Sequence, residues 1–226
     1  MEYEQEIKET ARVIISFTDS YTQNKQGKQN KQQESESTLS LAQVTSRLES
    51  LWRQIEMNWS FKQVIKTPNL IKSLIALSRF RLGTHIGLQF DKQRIEIRNS
   101  SRLCLWNIQY KGDEQDQPEL VNKRYGRVTS ISFCTAGGVG EEQDAEIYDG
   151  LYCIFDFLRE LHEGRTWQPS FKQLPLLARS IIEQLEDEGA NEELEAQMKN
   201  IENRFNIKSW ANYVKEAILN FFIHKF

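Results

Sequence analysis

The residues best placed by type and spacing to do chemistry lie in ISFCTAGGVGEEQDAEIY, residues 131–148. An apolar stretch, then Gly137, Gly138 and Gly140, then a helical pattern is the order in which strand, glycine turn and helix N-terminus cradle a phosphate. The glycines do not keep the dinucleotide spacing, and no Lys-Ser/Thr follows them. Glu141 and Glu142 would put negative charge where the phosphate should sit. The expectation is a loop between helices. The alternative is a nucleotide-binding α/β protein using the Gly137–Gly140 loop. Cys134 with His85 or His162 supplies a nucleophile and a base, but no orienting group or oxyanion donor is identifiable, so no catalysis is expected.

Metal chemistry fares no better. Cys104, Cys134 and Cys153 are too far apart for a zinc pattern or a disulfide framework, and they suit a reducing compartment. The acidic set Glu183, Glu186, Asp187, Glu188, Glu192, Glu193 and Glu195 lacks the alternating ligands and central glycine of a calcium loop. It reads as a solvated face. Neither a metal nor a cofactor is expected.

The elements that must position any site are helical in pattern. The chain has 226 residues, enough for one large domain or two small ones. Only 39% are hydrophobic, which suits an elongated body whose elements each bury one face. Net charge is −3, from 29 basic and 32 acidic residues, so nothing drives binding to a phosphate backbone and nucleic acid is not an expected partner. No apolar run approaches the roughly 20 residues that span a bilayer, and no membrane role is expected. The opening MEYEQEIKET is not a targeting segment in composition. A cytoplasmic or nuclear protein follows.

Tyr3, Ile7, Ala11, Ile14 and Phe17 predict a helix over 3–21, within an N-terminal segment 1–22. Residues 23–38 are polar, without an aliphatic or aromatic side chain between 24 and 37, and predict a disordered loop. From 39 to 226 one helical domain is expected. Leu41, Val44, Leu48, Leu51, Trp52 and Ile55 form one helix stripe. Thr67-Pro68 opens another helix, which carries Leu70, Ile71, Leu74, Ile75 and Leu77. In 91–111, RIEIR alternates like a strand, while Ile97, Leu103, Leu105, Trp106 and Tyr110 follow a helix that stops at Gly112. Pro118 enters a helix over 119–135, although the β-branched VTSISF argues for extended chain. Ile147, Leu151, Ile154, Phe155, Leu158 and Leu161 give a helix ended by Gly164. Leu174, Leu177, Ala178, Ile181 and Ile182 give the next, with Pro175 in its first turn. A break at Gly189 precedes a short helix capped by Asn191. The final helix, 207–224, would bury Trp210, Tyr213, Val214, Ala217, Ile218, Phe221 and Phe222.

The stretch FLRELHEGRTWQPSFKQLPLLARSI, residues 157–181, resembles the joint between repeats of the armadillo proteins of the importin-α type. Gly164, Arg165, Gln168, Pro169, Phe171, Pro175, Leu177 and Ala178 fall in that family's order. LCLWNIQYKGDEQDQPELV, residues 103–121, is similar to another armadillo turn, and residues 185–222 resemble the closing repeat. The resemblance covers roughly 100–226. It implies an all-α, armadillo-like right-handed α-solenoid of a few repeats, acting as a non-catalytic scaffold that binds a protein or peptide in its concave groove. By position in the family's third helices, the groove residues would be Asn107, Tyr152, Asp156, Arg159 and Glu160. The family's Trp/Asn ladder is not kept, since Trp106 adjoins Asn107 and Asp156 and Glu160 occupy the corresponding places in the next repeat. Those two carboxylates would draw a basic peptide.

Overall fold

The structure is a computed structural model that describes residues 2–24, 34–57, 61–80, 87–133, 144–199 and 206–223. Among these residues the chain is all-helical. The helices are α1 (Glu2–Asn24), α2 (Glu34–Glu56), α3 (Phe61–Lys66), α4 (Leu70–Leu77), α5 (Leu88–Lys111), α6 (Gln117–Asn122), α7 (Tyr125–Phe133), α8 (Asp144–Glu163), α9 (Pro175–Asp187), α10 (Ala190–Lys199) and α11 (Ile207–Ile223). The expected polar loop falls mainly on 25–33, outside the described residues, and helical backbone resumes at Glu34. The chain divides into two compact units, residues 1–111 and 112–226.

The first unit holds α1 to α5. Ile7, Ala11 and Ile14 of α1 are buried with Leu41, Val44, Leu48, Leu51 and Ile55 of α2, the stripe expected from the sequence. α2 packs against α5, and α1 against α2 and α4. α4 begins at Leu70, two residues beyond Pro68, and its N-cap is Asn69 in the left-handed region at φ 64°. RIEIR is helical. Its alternation covers too few residues to compete with a longer 3.6-residue period: Ile97, Ser101, Cys104, Leu105 and Ile108 are all buried along α5. That arc is rotated from the expected one. Leu103 and Trp106 are half-buried and Tyr110 is exposed, while Arg94, Arg98 and Gln109 lie inside. Arg94 pairs with Asp91 at 3.1 Å, and Arg98 donates to the Phe80 carbonyl at 3.4 Å. The Lys111 ammonium donates to the carbonyl of Glu56, the last residue of α2, where a cation complements the helix dipole.

The second unit holds α6 to α11, with α8 against α7, α9 and α11. The single helix expected over 119–135 is two: the chain turns at Lys123 and Arg124, and Arg124 has φ 65°. A non-glycine residue in that region gives little sequence warning of a break. VTSISF is helical and buried, because burial of Val128, Ile131 and Phe133 outweighs a weak β preference. Gln184 of α9 closes the break, accepting from the Gly126 amide at 3.1 Å and donating to the Val121 carbonyl at 2.9 Å. Gly164 and Gly189 stop α8 and α9 at φ 81° and 71°, and Pro175 stands in the first turn of α9, as their positions in the sequence implied. α8 buries Ile147, Leu151, Ile154, Phe157, Leu158 and Leu161, each contributing about 2 kcal/mol if fully transferred from water.

Candidate functional site

Beside the buried face of α8 runs a second row: Tyr148, Tyr152, Phe155 and Arg159, at successive steps of four, three and four. Those steps keep side chains on one side of a helix. α11 adds Trp210 and Tyr213. The Trp210 ring meets Tyr148, Tyr152, Phe155 and Tyr213 with centroids 5.8, 5.1, 5.7 and 5.6 Å away and planes near perpendicular. Tyr148 and Tyr152 stack at 6.2 Å and 19°. The Arg159 guanidinium lies 5.7 Å from the Phe155 centroid, within cation–π range. The first four rings are half-buried, Tyr213 is 46% exposed and the Arg159 side chain 45%. Aromatic pairs in this geometry hold one another rigid while leaving edges and faces to solvent.

Trp210 and Tyr213 were expected inside the core. The α11 residues that are buried are Ile207, Ala211, Val214 and Ile218, a narrow arc, and the two aromatics stand at its margin. α11 packs against both α8 and α10, and the arc those two helices cover is narrower than the expected stripe of seven residues from 210 to 222. Phe221 and Phe222 lie outside the residues whose side chains are described.

The expected groove residues are not one set. Tyr152 and Arg159 belong to the aromatic row. Asn107 sits on α5 in the first unit, half-buried, its side-chain amide donating to the Leu103 carbonyl at 3.0 Å. Asp156 and Glu160 are 5% and 3% exposed. Asp156 accepts from Arg159, and burial pushes its carboxyl above the usual carboxylate range, with Arg159 and Arg165 pulling it back. Glu160 pairs with Arg165, whose side chain is fully buried. Both carboxylates are thus met by the chain's own arginines. Arg159, 45% exposed, carries the charge of the row and is itself half of the pair with Asp156.

The joint after α8 is built around Arg165. Gly164 turns the chain, and Arg165 and Phe171 exchange backbone hydrogen bonds of 2.8 and 3.1 Å, closing a short strap across the cis Gln168–Pro169 bond. The Arg165 guanidinium lies 4.4 Å from the Trp167 ring centroid and 4.6 Å from that of Phe171. It also donates to the Gly112 carbonyl at 2.8 Å.

The other chemical candidates are accounted for differently. Cys104 and Cys153 are buried free thiols. Burial pushes both far above the ordinary thiol value, with Asp149 and Asp156 adding to the effect on Cys153, so neither is a ready nucleophile. Burial lowers His162, and Glu163 opposes the shift. Cys134, His85, His224 and the Gly137–Gly140 loop lie outside the described residues. Residues 131–133, which the α/β alternative requires as a strand, belong to α7. In the acidic set, Glu183 pairs with Arg179, Glu188 with Arg127 and Glu195 with Lys215. Among the described residues no three His, Cys, Asp or Glu side chains are grouped to hold a metal, and no helix is long and apolar enough to cross a membrane. Comparison with protein-family models, curated proteins and solved structures finds no match.

Proposed function

We propose that this chain is a non-catalytic protein-binding scaffold, an armadillo-like solenoid in its helical grammar, whose working surface is the aromatic row on α8 and α11. The observation that carries the reading is the Trp210-centred cluster with Arg159 at its end. Tyr, Trp and Arg are the side chains in which interface energy concentrates, and a rigid half-exposed group of them loses little entropy when a partner covers it. The repeat-like joints at Gly164 and Gly189 support the solenoid part. The buried free thiols of Cys104 and Cys153 suit a cytoplasmic or nuclear setting. A protein or peptide is the ligand class. The basic-peptide version loses its two proposed acids to internal pairs, one of them with Arg159 itself, so an occupant that meets the half-exposed rings fits better.

The test compares the wild-type chain with Tyr213→Ala and Arg159→Ala in quantitative affinity purification from native cells. Each variant is first checked by circular dichroism for unchanged helicity. At about 2 kcal/mol per truncated hot-spot residue, partner recovery should fall by roughly 30-fold in affinity for each. An identical partner list at identical abundance from all three proteins would remove this surface from consideration.

A further inference from the structure

In the first unit, α1 and α2 leave a cleft of about 520 Å³ between them, a volume in the range of small-molecule sites. Its floor is apolar. Val13 and Phe17 of α1 are half-buried there, and Val44 of α2 is buried. The floor is also braced: the Phe17 ring packs on the buried Phe80 ring with centroids 5.6 Å apart, and Tyr21, one turn along α1, meets the same Phe80 ring at 4.7 Å. The rim is polar. Arg12, Ser16 and Ser20 stand at steps of four along one edge of α1, and Gln43 faces them from α2. The Ser20 hydroxyl donates to the Ser16 carbonyl at 2.9 Å, so its proton is used within the helix. Arg12, Ser16 and Gln43 are exposed, and each carries N–H or O–H donors. The described lining residues include one cation and no carboxylate. Glu9, three residues before Arg12, accepts from Gln5 at 3.2 Å.

We propose that the α1–α2 cleft binds a small organic oxyanion: a phosphate ester or a carboxylate carried on an apolar body. The Arg12 guanidinium takes the oxyanion, because its planar fork of donors matches both head groups. Ser16, one turn away, and Gln43 across the cleft complete the set of donors. The apolar body lies on Phe17, Val13 and Val44. A concave apolar floor with a few converging polar groups is the general form of such sites. The inference is independent of the binding surface proposed above.

Amide chemical shifts of the isotope-labelled full chain, followed by NMR during titration, test it. The probes are phenyl phosphate and phenylacetate, with inorganic phosphate and benzyl alcohol as the head group and the body alone. At least one of the first two should shift α1 and α2 amides saturably, and bind about tenfold or more tighter than either half. Whichever binds more tightly identifies the preferred head group. Arg12→Gln should weaken that binding about tenfold or more, as expected for a lost charge-assisted pair. Ser16→Phe fills the cleft and should abolish it. Both positions are exposed, and circular dichroism confirms that each variant keeps wild-type helicity. No saturable shift with either probe at millimolar concentration overturns the site, as do shifts centred on α8 and α11. Benzyl alcohol binding as tightly as the anions, or wild-type affinity in both variants, overturns it equally.

Discussion

Gly150 of α8 faces Ser132 of α7 at a distance no larger residue tolerates. A Cβ built on Gly150 would lie 1.8 Å from the Ser132 hydroxyl oxygen and 2.9 Å from its Cβ. The hydroxyl cannot simply swing away. It donates to the Thr129 carbonyl at 2.6 Å and is buried, so moving it trades a clash for an unmet polar group. Gly150→Ala gains about 1 kcal/mol of helix propensity and meets an overpacking cost of about 1–3 kcal/mol plus the hydroxyl's lost bond at about 1 kcal/mol. The expected net is a destabilisation of about 1–3 kcal/mol. Ser132→Gly in the same chain removes both offending atoms, and the pair should show a favourable coupling of about 2 kcal/mol. Urea unfolding followed by far-ultraviolet circular dichroism, on the wild type, both single variants and the double variant, measures all four corners. A Gly150→Ala chain as stable as the wild type, or strictly additive effects, would refute the α7–α8 packing.

Gln184→Leu should cost about 1–3 kcal/mol, because it strips a donor and an acceptor from the break between α6 and α7; urea midpoints check it, and Gln184→Glu should fall between Leu and wild type. Cys104 and Cys153 should resist alkylation in the native chain and react in denaturant, with peptide mapping separating them from Cys134; fast native labelling of either contradicts their burial. Asp149 is raised above the usual carboxylate value by partial desolvation first and the Glu146 charge second. The folded chain therefore holds that proton at pH values where the unfolded chain has released it, and stability falls as pH rises through the window just above the ordinary value. Asp149→Asn should thus melt higher than wild type at neutral pH, with the gap closing as pH drops below the ordinary carboxylate value; a gap that widens in acid contradicts the sign.

Much of the helical punctuation was legible because it rests on single residues with strong local preferences. Gly164 and Gly189 adopt the left-handed conformation that ends helices, and Pro175 sits where a missing amide costs nothing. What local preference could not reveal was which arc of a helix its neighbours cover. α5 carries apolar residues on more than one side, and reading followed the large rings at 106 and 110 while packing selected Ile97, Cys104, Leu105 and Ile108. The same ambiguity hid Trp210 and Tyr213, the residues on which the proposed surface now depends. Asp156 and Glu160 looked like a surface charge because the sequence does not show that Arg159 and Arg165 meet them. The pairing of Glu160 with Arg165 exists only once Gly164 folds the strap back. The kink falls on Arg124, a non-glycine residue, while the nearby Gly126 stays helical inside α7.

The most direct measurement of the central claim is photo-crosslinking in native cells from a benzophenone side chain placed at position 213, with position 176 as the control. Leu176 is 78% exposed and lies on α9, outside the aromatic row. The account predicts a defined protein adduct from 213 that is absent from 176 and is lost when Arg159→Ala is added. Adducts shared equally by the two positions, or none from 213, would contradict it.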